Sequence, residues 1–267
     1  MRNLSVLLIG ILILGSGCNR YYYKPNAVNA PLFTDGNQFH LTGAGMIGST
    51  DKDNSDAGNS YFFDVQAAYS PIKHLGIIGN YSTWAYRPDK PDYASGHVDA
   101  NAHLAEVGVG GYIVAGQRKA KLVADIYAGG GGGSLTSDVD MKVRRLFIQP
   151  GIGMRHPAFD VSFNMRISNV KYSDLNDNGH GVGYLMDHNL IDVDRNRRID
   201  EGSHFFWEPA LTLRTGYKFI KAQFQWAFAN EISNVTWRYN GARFTFGLQF
   251  ALEDVLEIAN SGKSDAK

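Results

Sequence analysis

Apolar and polar residues alternate with a period of two through most of this chain. From Ile220 to Phe228 one parity carries Ile220, Ala222, Phe224, Trp226 and Phe228, and the other carries Lys221, Gln223, Gln225 and Ala227. Phe244, Phe246, Leu248, Phe250 and Leu252 alternate with Thr245, Gly247, Gln249 and Ala251, and Phe159 to Ile167 repeats the pattern. Such a period places the apolar side chains on one face of a strand, whereas a helix would scatter them around its surface. The alternation predicts about ten strands: 38–48, 60–69, 74–86, 99–115, 120–134, 141–155, 159–171, 204–217, 220–231 and 242–252.

The connections alternate in length. Ser70–Lys73, Gly116–Lys119, His156–Ala158 and Lys218–Phe219 are short, whereas 49–59, 87–98, 135–140, 172–203 and 232–241 are longer. Short turns at one end and long loops at the other predict an all-β fold, a closed antiparallel up-and-down transmembrane β-barrel. An even strand number puts both termini at the short-turn, periplasmic end.

The apolar parity suits a lipid-facing band, with Tyr69, Tyr81 and Tyr217 near strand ends. The other parity mixes charges with glycine, as in Glu106, Gly108 and Gly110, and small residues beside long ones suit a narrow interior. It carries Asp64, Glu106, Asp125, Asp160 and Glu208 against Arg145, Arg155, Arg166, Arg214, Lys221 and Arg243. Unpaired charges inside a lumen are costly, so these eleven are expected to form a network that closes the interior. Ten strands are also too few for an open porin channel.

Composition adds exclusions. The 267 residues balance 26 Lys+Arg against 26 Asp+Glu, which gives no whole-chain electrostatic reason to expect a nucleic-acid partner. One Cys excludes a disulfide framework and Cys-clustered zinc. Thirty Gly with 15 Phe and 14 Tyr agree with many strands.

At the amino terminus, Met1-Arg2-Asn3 precedes the apolar run Leu4–Leu14 and then Gly15-Ser16-Gly17-Cys18. That run is too short to span a bilayer but fits a secretory signal. It resembles a bacterial lipoprotein signal, which implies removal of 1–17 and lipidation of Cys18; Gly15 departs from the Leu-like residue usual three before the cysteine. The remaining organisation reads as an extended lead over 18–37, a barrel over 38–252 and a short helix with a polar tail over 253–267.

Candidate chemistry is confined to the 172–203 loop. Asp174–Gly179 resembles the first half of an EF-hand loop, and Asp192, Asp194, Asn196 and Asp200 place oxygens at a similar spacing, which makes weak calcium a possible cofactor. Arg197 and Ser203 occupy the places of the usual glycine and closing carboxylate. Asp187-His188 invites comparison with rim proteases of membrane barrels. No G-x-S-x-G motif occurs, the eight His show no metal-binding spacing, and Gly129–Gly133 reads as a bent strand near the rim.

The Cys-Asn-Arg-Tyr-Tyr-Tyr-Lys-Pro-Asn lead, Ala67-Ala68-Tyr69-Ser70-Pro71 with Gly76, and Phe206-Trp207-Glu208-Pro209-Ala210 resemble small outer-membrane β-barrel lipoproteins of Bacteroidota, a functionally uncharacterised group. The resemblance implies location and fold and supplies no catalytic residues. The expectation is a non-enzymatic, lipid-anchored outer-membrane barrel with a structural or surface-interaction role. Its N-terminus is expected to be lipidated and periplasmic. Its partners are expected to be membrane lipid and an envelope protein or surface ligand reached through loops 87–98 and 172–203. The alternatives are a rim hydrolase built on 172–203 and a soluble, lipid-tethered periplasmic β-protein.

Overall fold

Alternating strands bury one face only if the sheet closes or meets a second layer, and this sheet closes. The computed structural model describes residues 22–49, 58–91, 98–116, 119–195, 197–217 and 219–253. The strands β1 (Gln38–Ser49), β2 (Gly58–Ser70), β3 (Leu75–Pro88), β4 (Ala100–Ala115), β5 (Lys121–Thr136), β6 (Asp140–Arg155) and β7 (Phe159–Asn176) follow one another as antiparallel neighbours. Next come the helix α1 (Gly181–Asp187), the two-residue strands β8 (Ile191–Asp192) and β9 (Arg197–Arg198), and a 3-10 turn over Ile199–Glu201. β10 (Ser203–Tyr217), β11 (Ile220–Phe228), β12 (Asn230–Glu231) and β13 (Ala242–Ala251) complete the chain. β13 pairs with β1, and β11 pairs with both β10 and β13, so ten long strands form a closed up-and-down barrel.

Most expected strands match within two residues. β7 runs five residues further, to Asn176, because Lys142 and Val143 of β6 still pair with Ser173 and Tyr172. The expected strand 220–231 also differs, dividing into β11 and β12. Between β5 and β6 the connection is only residues 137–139, although it lies at the long-loop end.

The two faces separate by parity. Leu41, Phe63, Ile77, Val107, Ile126, Ile148, Phe163, Leu213 and Phe246, one from each of nine barrel strands, point outward and are 40% or more exposed. On β7 the outward row Phe159, Val161, Phe163, Met165 and Ile167 carries no charge until Lys171. Exposed charges gather at the rims: Arg87, Lys142, Arg144 and Lys171 toward the long loops, and Lys73 and Lys119 toward the turns. Inside, Gly129, Gly131 and Gly133 let β5 press against β4; a Cβ on Gly133 would lie 1.8 Å from the His103 carbonyl oxygen. The glycine run read from the sequence thus serves a close approach between strands.

Candidate functional site: a lumen threaded by the chain itself

The N-terminal lead does not lie outside the barrel. Residues 22–32 are all buried and run as an extended segment through the lumen. Pro25 and Pro31 disfavour helix and remove two N–H groups that would otherwise need acceptors in a crowded interior. The lead enters beside the long loops. There Tyr22 N–H donates to the Arg238 carbonyl at 3.1 Å, and Tyr23 bridges to Tyr239. It leaves at the turns, where Leu32 and Phe33 pack with Ile78, Tyr112 and Tyr127. Tyr22, the first described residue, therefore lies at the long-loop mouth, opposite the short-turn end at which an even strand number places both ends of the barrel. β1 does start there and β13 does end there, but the lead approaches β1 from the opposite mouth.

Barrel strands spend their backbone groups on one another, so the lead's backbone must be satisfied by side chains. Inward polar residues do this almost carbonyl by carbonyl. Arg243 donates to Pro25 O at 3.1 Å, Gln66 to Ala27 O at 2.9 Å, Gln149 to Asn29 O at 2.8 Å and Arg214 to Ala30 O at 2.8 Å. Gln225 accepts from Val28 N–H at 2.7 Å and donates to Val28 O at 2.8 Å. Asn29 Nδ2 in turn donates to the wall carbonyl of Ala67 at 2.9 Å.

Three ionic groups line this path. The central one holds Glu106, Arg145, Arg166 and Glu208, all 6% exposed or less. Arg145 binds Glu106 in a fork, with Nε to Oε1 at 2.6 Å and Nη2 to Oε2 at 2.5 Å. Its remaining nitrogen donates to Tyr23 Oη at 2.9 Å, and Tyr23 donates to Glu208. Asn26 sits at the centre: Nδ2 donates to Glu106 at 2.7 Å, and Oδ1 accepts from Arg166 at 2.7 Å. Two acids against two bases leave this group neutral, as buried charge requires. The second group pairs Arg243 with Asp64, and Lys24 of the lead lies 4.2 Å from the centre of the Trp84 ring. The third joins Asp160 to Lys221 at 2.7 Å, with Arg214 at 4.0 Å.

Of the eleven lumen charges read from the sequence, Arg155 reaches Leu32 O at 3.4 Å and Glu253 at 3.0 Å, near the turns. Asp125 is the exception to pairing. It is buried on the inner wall with one carboxylate oxygen lacking a hydrogen-bond partner. Gly151 leaves space there that the Asp125 carboxylate and the Asn164 amide both border. The neighbour is thus an amide and not the expected base. Glu253 accepts from His40 Nε2 at 2.8 Å and from Phe39 N–H at 3.2 Å. Burial alone would raise its carboxyl, but the His40 bond and the His40 and Arg155 charges outweigh that and hold it at about 2.

At the long-loop mouth the 177–202 segment folds inward as a cap. Leu185, Leu190, Ile191 and Ile199 join Tyr22, Tyr172, Phe206 and Trp237 in one apolar cluster. Asp138 anchors lead and cap together, accepting from Tyr22 and Tyr184 hydroxyls at 2.8 Å each.

The cap places the candidate chemistry as follows. Asp192 lies 3.5 Å from Arg195, and Asp200 forms a fork with Arg198 at 3.0 Å. Asp194 is exposed, and Asn196 lies outside the described residues. Asp174 pairs with Lys142 at 2.7 Å. Asp177 accepts from Gly179 and Gly181 N–H, bonds that pull its carboxyl below the usual range. Among the described residues no group of three or more His, Cys, Asp or Glu is placed to hold a metal. His188 stacks on Tyr184 at 3.9 Å and its Nδ1 faces the Tyr184 carbonyl at 2.8 Å, while Asp187 is exposed at the end of α1. Cys18 and residues 254–267 lie outside the described residues.

Sequence reading missed the neutral residues that bind the lead, Gln66, Gln149 and Gln225, and the lead's own Asn26. Their signal was parity, because the three glutamines share the inward face with the charges. No protein-family model matches the chain, and no curated protein is significantly similar to it.

Proposed function

We propose that this protein is a lipid-anchored outer-membrane barrel whose interior is filled by its own lead, serving as a structural or surface-interaction element rather than as a channel. The observation that carries the reading is the uncharged apolar band on the outer face of a closed barrel. Monomeric soluble proteins rarely expose so large a continuous apolar surface. On β7 the row from Phe159 to Ile167 covers about 27 Å along the strand at ~3.4 Å per residue, or about 21 Å vertically at a tilt of ~40°, near the ~25 Å band of such barrels. The charged rims on either side suit headgroup regions. A lumen occupied by the lead and by ionic groups that bind it supports a non-conducting barrel. The cap over the long-loop mouth supplies the surface for an envelope protein or extracellular ligand.

The test is outer-membrane fractionation with heat-modifiable gel migration. The expected result is a heat-modifiable species that stays in the membrane fraction when Cys18 is changed to Ala. Release of the whole protein by that single change would overturn the barrel reading and favour the soluble, tethered alternative. In a planar bilayer, the purified protein is expected to show no steady conductance.

A further inference from the structure

We infer that the chain preceding Tyr22 is delivered to the long-loop face of the barrel, so that the protein displays its N-terminal end on the side opposite its C-terminal end. The inference concerns topology and rests on the membrane reading above only for the names of the two sides.

The polarity of the lead is fixed by the order of its contacts. β6 descends from the long-loop end to the turn end, and along it Arg145, Gln149 and Arg155 bind Asn26, Asn29 and Leu32 in that order. β10 descends in the same direction, with Glu208 binding Tyr23 and Arg214 binding Ala30. Both strands therefore run parallel to the lead, and reversing it would break every one of these pairings. The ends are fixed independently. Tyr172 donates to Tyr22 O at 2.8 Å near the long loops, whereas the Tyr112 hydroxyl donates to Asp35 O at 2.7 Å near the turns. Glu253, the last described residue, is fixed too, since it meets His40 and Arg155 at the turn end. In a plain ten-stranded barrel both ends would share one face; the lead transfers one of them across.

The consequence concerns lipid. Cys18 precedes Tyr22 by four residues, a reach of at most about 14 Å. With long loops outside, acyl chains on Cys18 meet the outer leaflet beside the cap, not the periplasmic leaflet. The partner of this end is thus the lipid of the cell surface.

Two full-length proteins test this, one with an epitope inserted after Arg20 and one with it appended after Lys267, each first checked for heat-modifiable migration. Antibody is applied to intact and permeabilised Gram-negative cells. The expected result is equal staining of the N-terminal epitope in both, and staining of the C-terminal epitope only after permeabilisation. Both epitopes hidden in intact cells, or both exposed, would overturn the inference. An N-terminal epitope hidden with the C-terminal one exposed would overturn surface display through the assigned orientation, leaving the threading intact. If the insertion prevents folding, trypsin added to intact cells carrying the untagged protein is expected to cut after Arg20 and create a chain beginning at Tyr21. No such cut, with Arg20 cleaved only after permeabilisation, would overturn the inference. The Cys18→Ser protein is expected to give the same sidedness, which separates topology from lipidation.

Discussion

The side-chain amide of Gln225 bonds both backbone groups of Val28, accepting from its N–H at 2.7 Å and donating to its carbonyl at 2.8 Å. A strand neighbour would make the same pair of bonds, so one side chain substitutes for a ladder position the lead cannot have. Replacing it with Leu leaves a buried donor and a buried acceptor unpaired, at about 1–3 kcal/mol each. Gln225→Leu is therefore expected to lower unfolding free energy by about 2–6 kcal/mol in denaturant titrations of the refolded barrel. Equal stability of wild type and Gln225→Leu would show that the lead is not held at Val28.

The fork between Arg145 and Glu106 makes a different demand. Both side chains are fully buried, and removing one partner strands the other's charge, typically a loss of 3–5 kcal/mol. Glu106→Leu is expected to destabilise by about that much. Pairing it with Arg145→Met should recover part of the loss, since two apolar groups need no partner. Asn26 and Tyr23 would still lose bonds to Arg145, so recovery should be incomplete. A double variant no better than the single one would mean that Arg145 is required by the lead more than by Glu106.

Strand number within the described residues and the identity of the inward charges could be read from parity, because a period of two survives wherever one face meets lipid or solvent and the other meets side chains; closure was legible in the alternation of short and long connections. The threading was not. Tyr22 to Phe33 carries no alternation that specifies a partner, since its neighbours are side chains from strands far apart in sequence. Gln66 and Gln225 contact adjacent lead residues from opposite ends of the chain. Asp125 points inward as parity predicts but stands beside an amide, for a related reason: parity says that a charge points inward but not which residue stands across from it. In the cap, Asp192 and Asp200 have the spacing of cation ligands, yet each lies against an arginine, Arg195 and Arg198 respectively.

Acid should loosen the seam where β13 meets β1. Glu253 is held at about 2 when folded, below the ordinary glutamate value of ~4.3. A lowered folded value means that the unfolded chain takes up the proton first as pH falls. Its stabilising contribution is thus complete above about pH 4.3 and is lost between there and about pH 2. Unfolding midpoints of wild type and Glu253→Gln are expected to differ most at pH 6 and to converge toward pH 2. A constant difference across that range would show that the carboxylate is not the source.

Two neighbouring glycines of β5 should respond unequally to the same substitution. A Cβ on Gly133 would meet the His103 carbonyl oxygen at 1.8 Å, whereas on Gly132 the nearest atom is the Val143 carbonyl oxygen at 3.3 Å. The first clash is with backbone already committed to the β4–β5 ladder, so relief requires moving a strand. Gly133→Ala is expected to abolish or sharply reduce the heat-modifiable species. Gly132→Ala should cost on the order of 1 kcal/mol or less. Equal outcomes would mean that β5 relaxes away from β4 without penalty.

Phe163 offers the most direct energetic test of what surrounds the barrel. It is 45% exposed in the middle of the outward row of β7, while Lys171 ends that row near the long loops. In water, an exposed surface substitution rarely changes stability by more than about 0.5 kcal/mol. At a bilayer midplane, arginine on the lipid face costs about 2–4 kcal/mol, falling to about 0–1 near the interface. Phe163→Arg is therefore expected to destabilise the protein in lipid vesicles by about 2–4 kcal/mol, and Asn169→Arg, two residues before Lys171, by about 1 or less. The gradient is the discriminating quantity, since a solvated outer face predicts two small and similar changes. Unfolding titrations in vesicles measure both, and the absence of a gradient would leave the apolar band without a membrane to explain it.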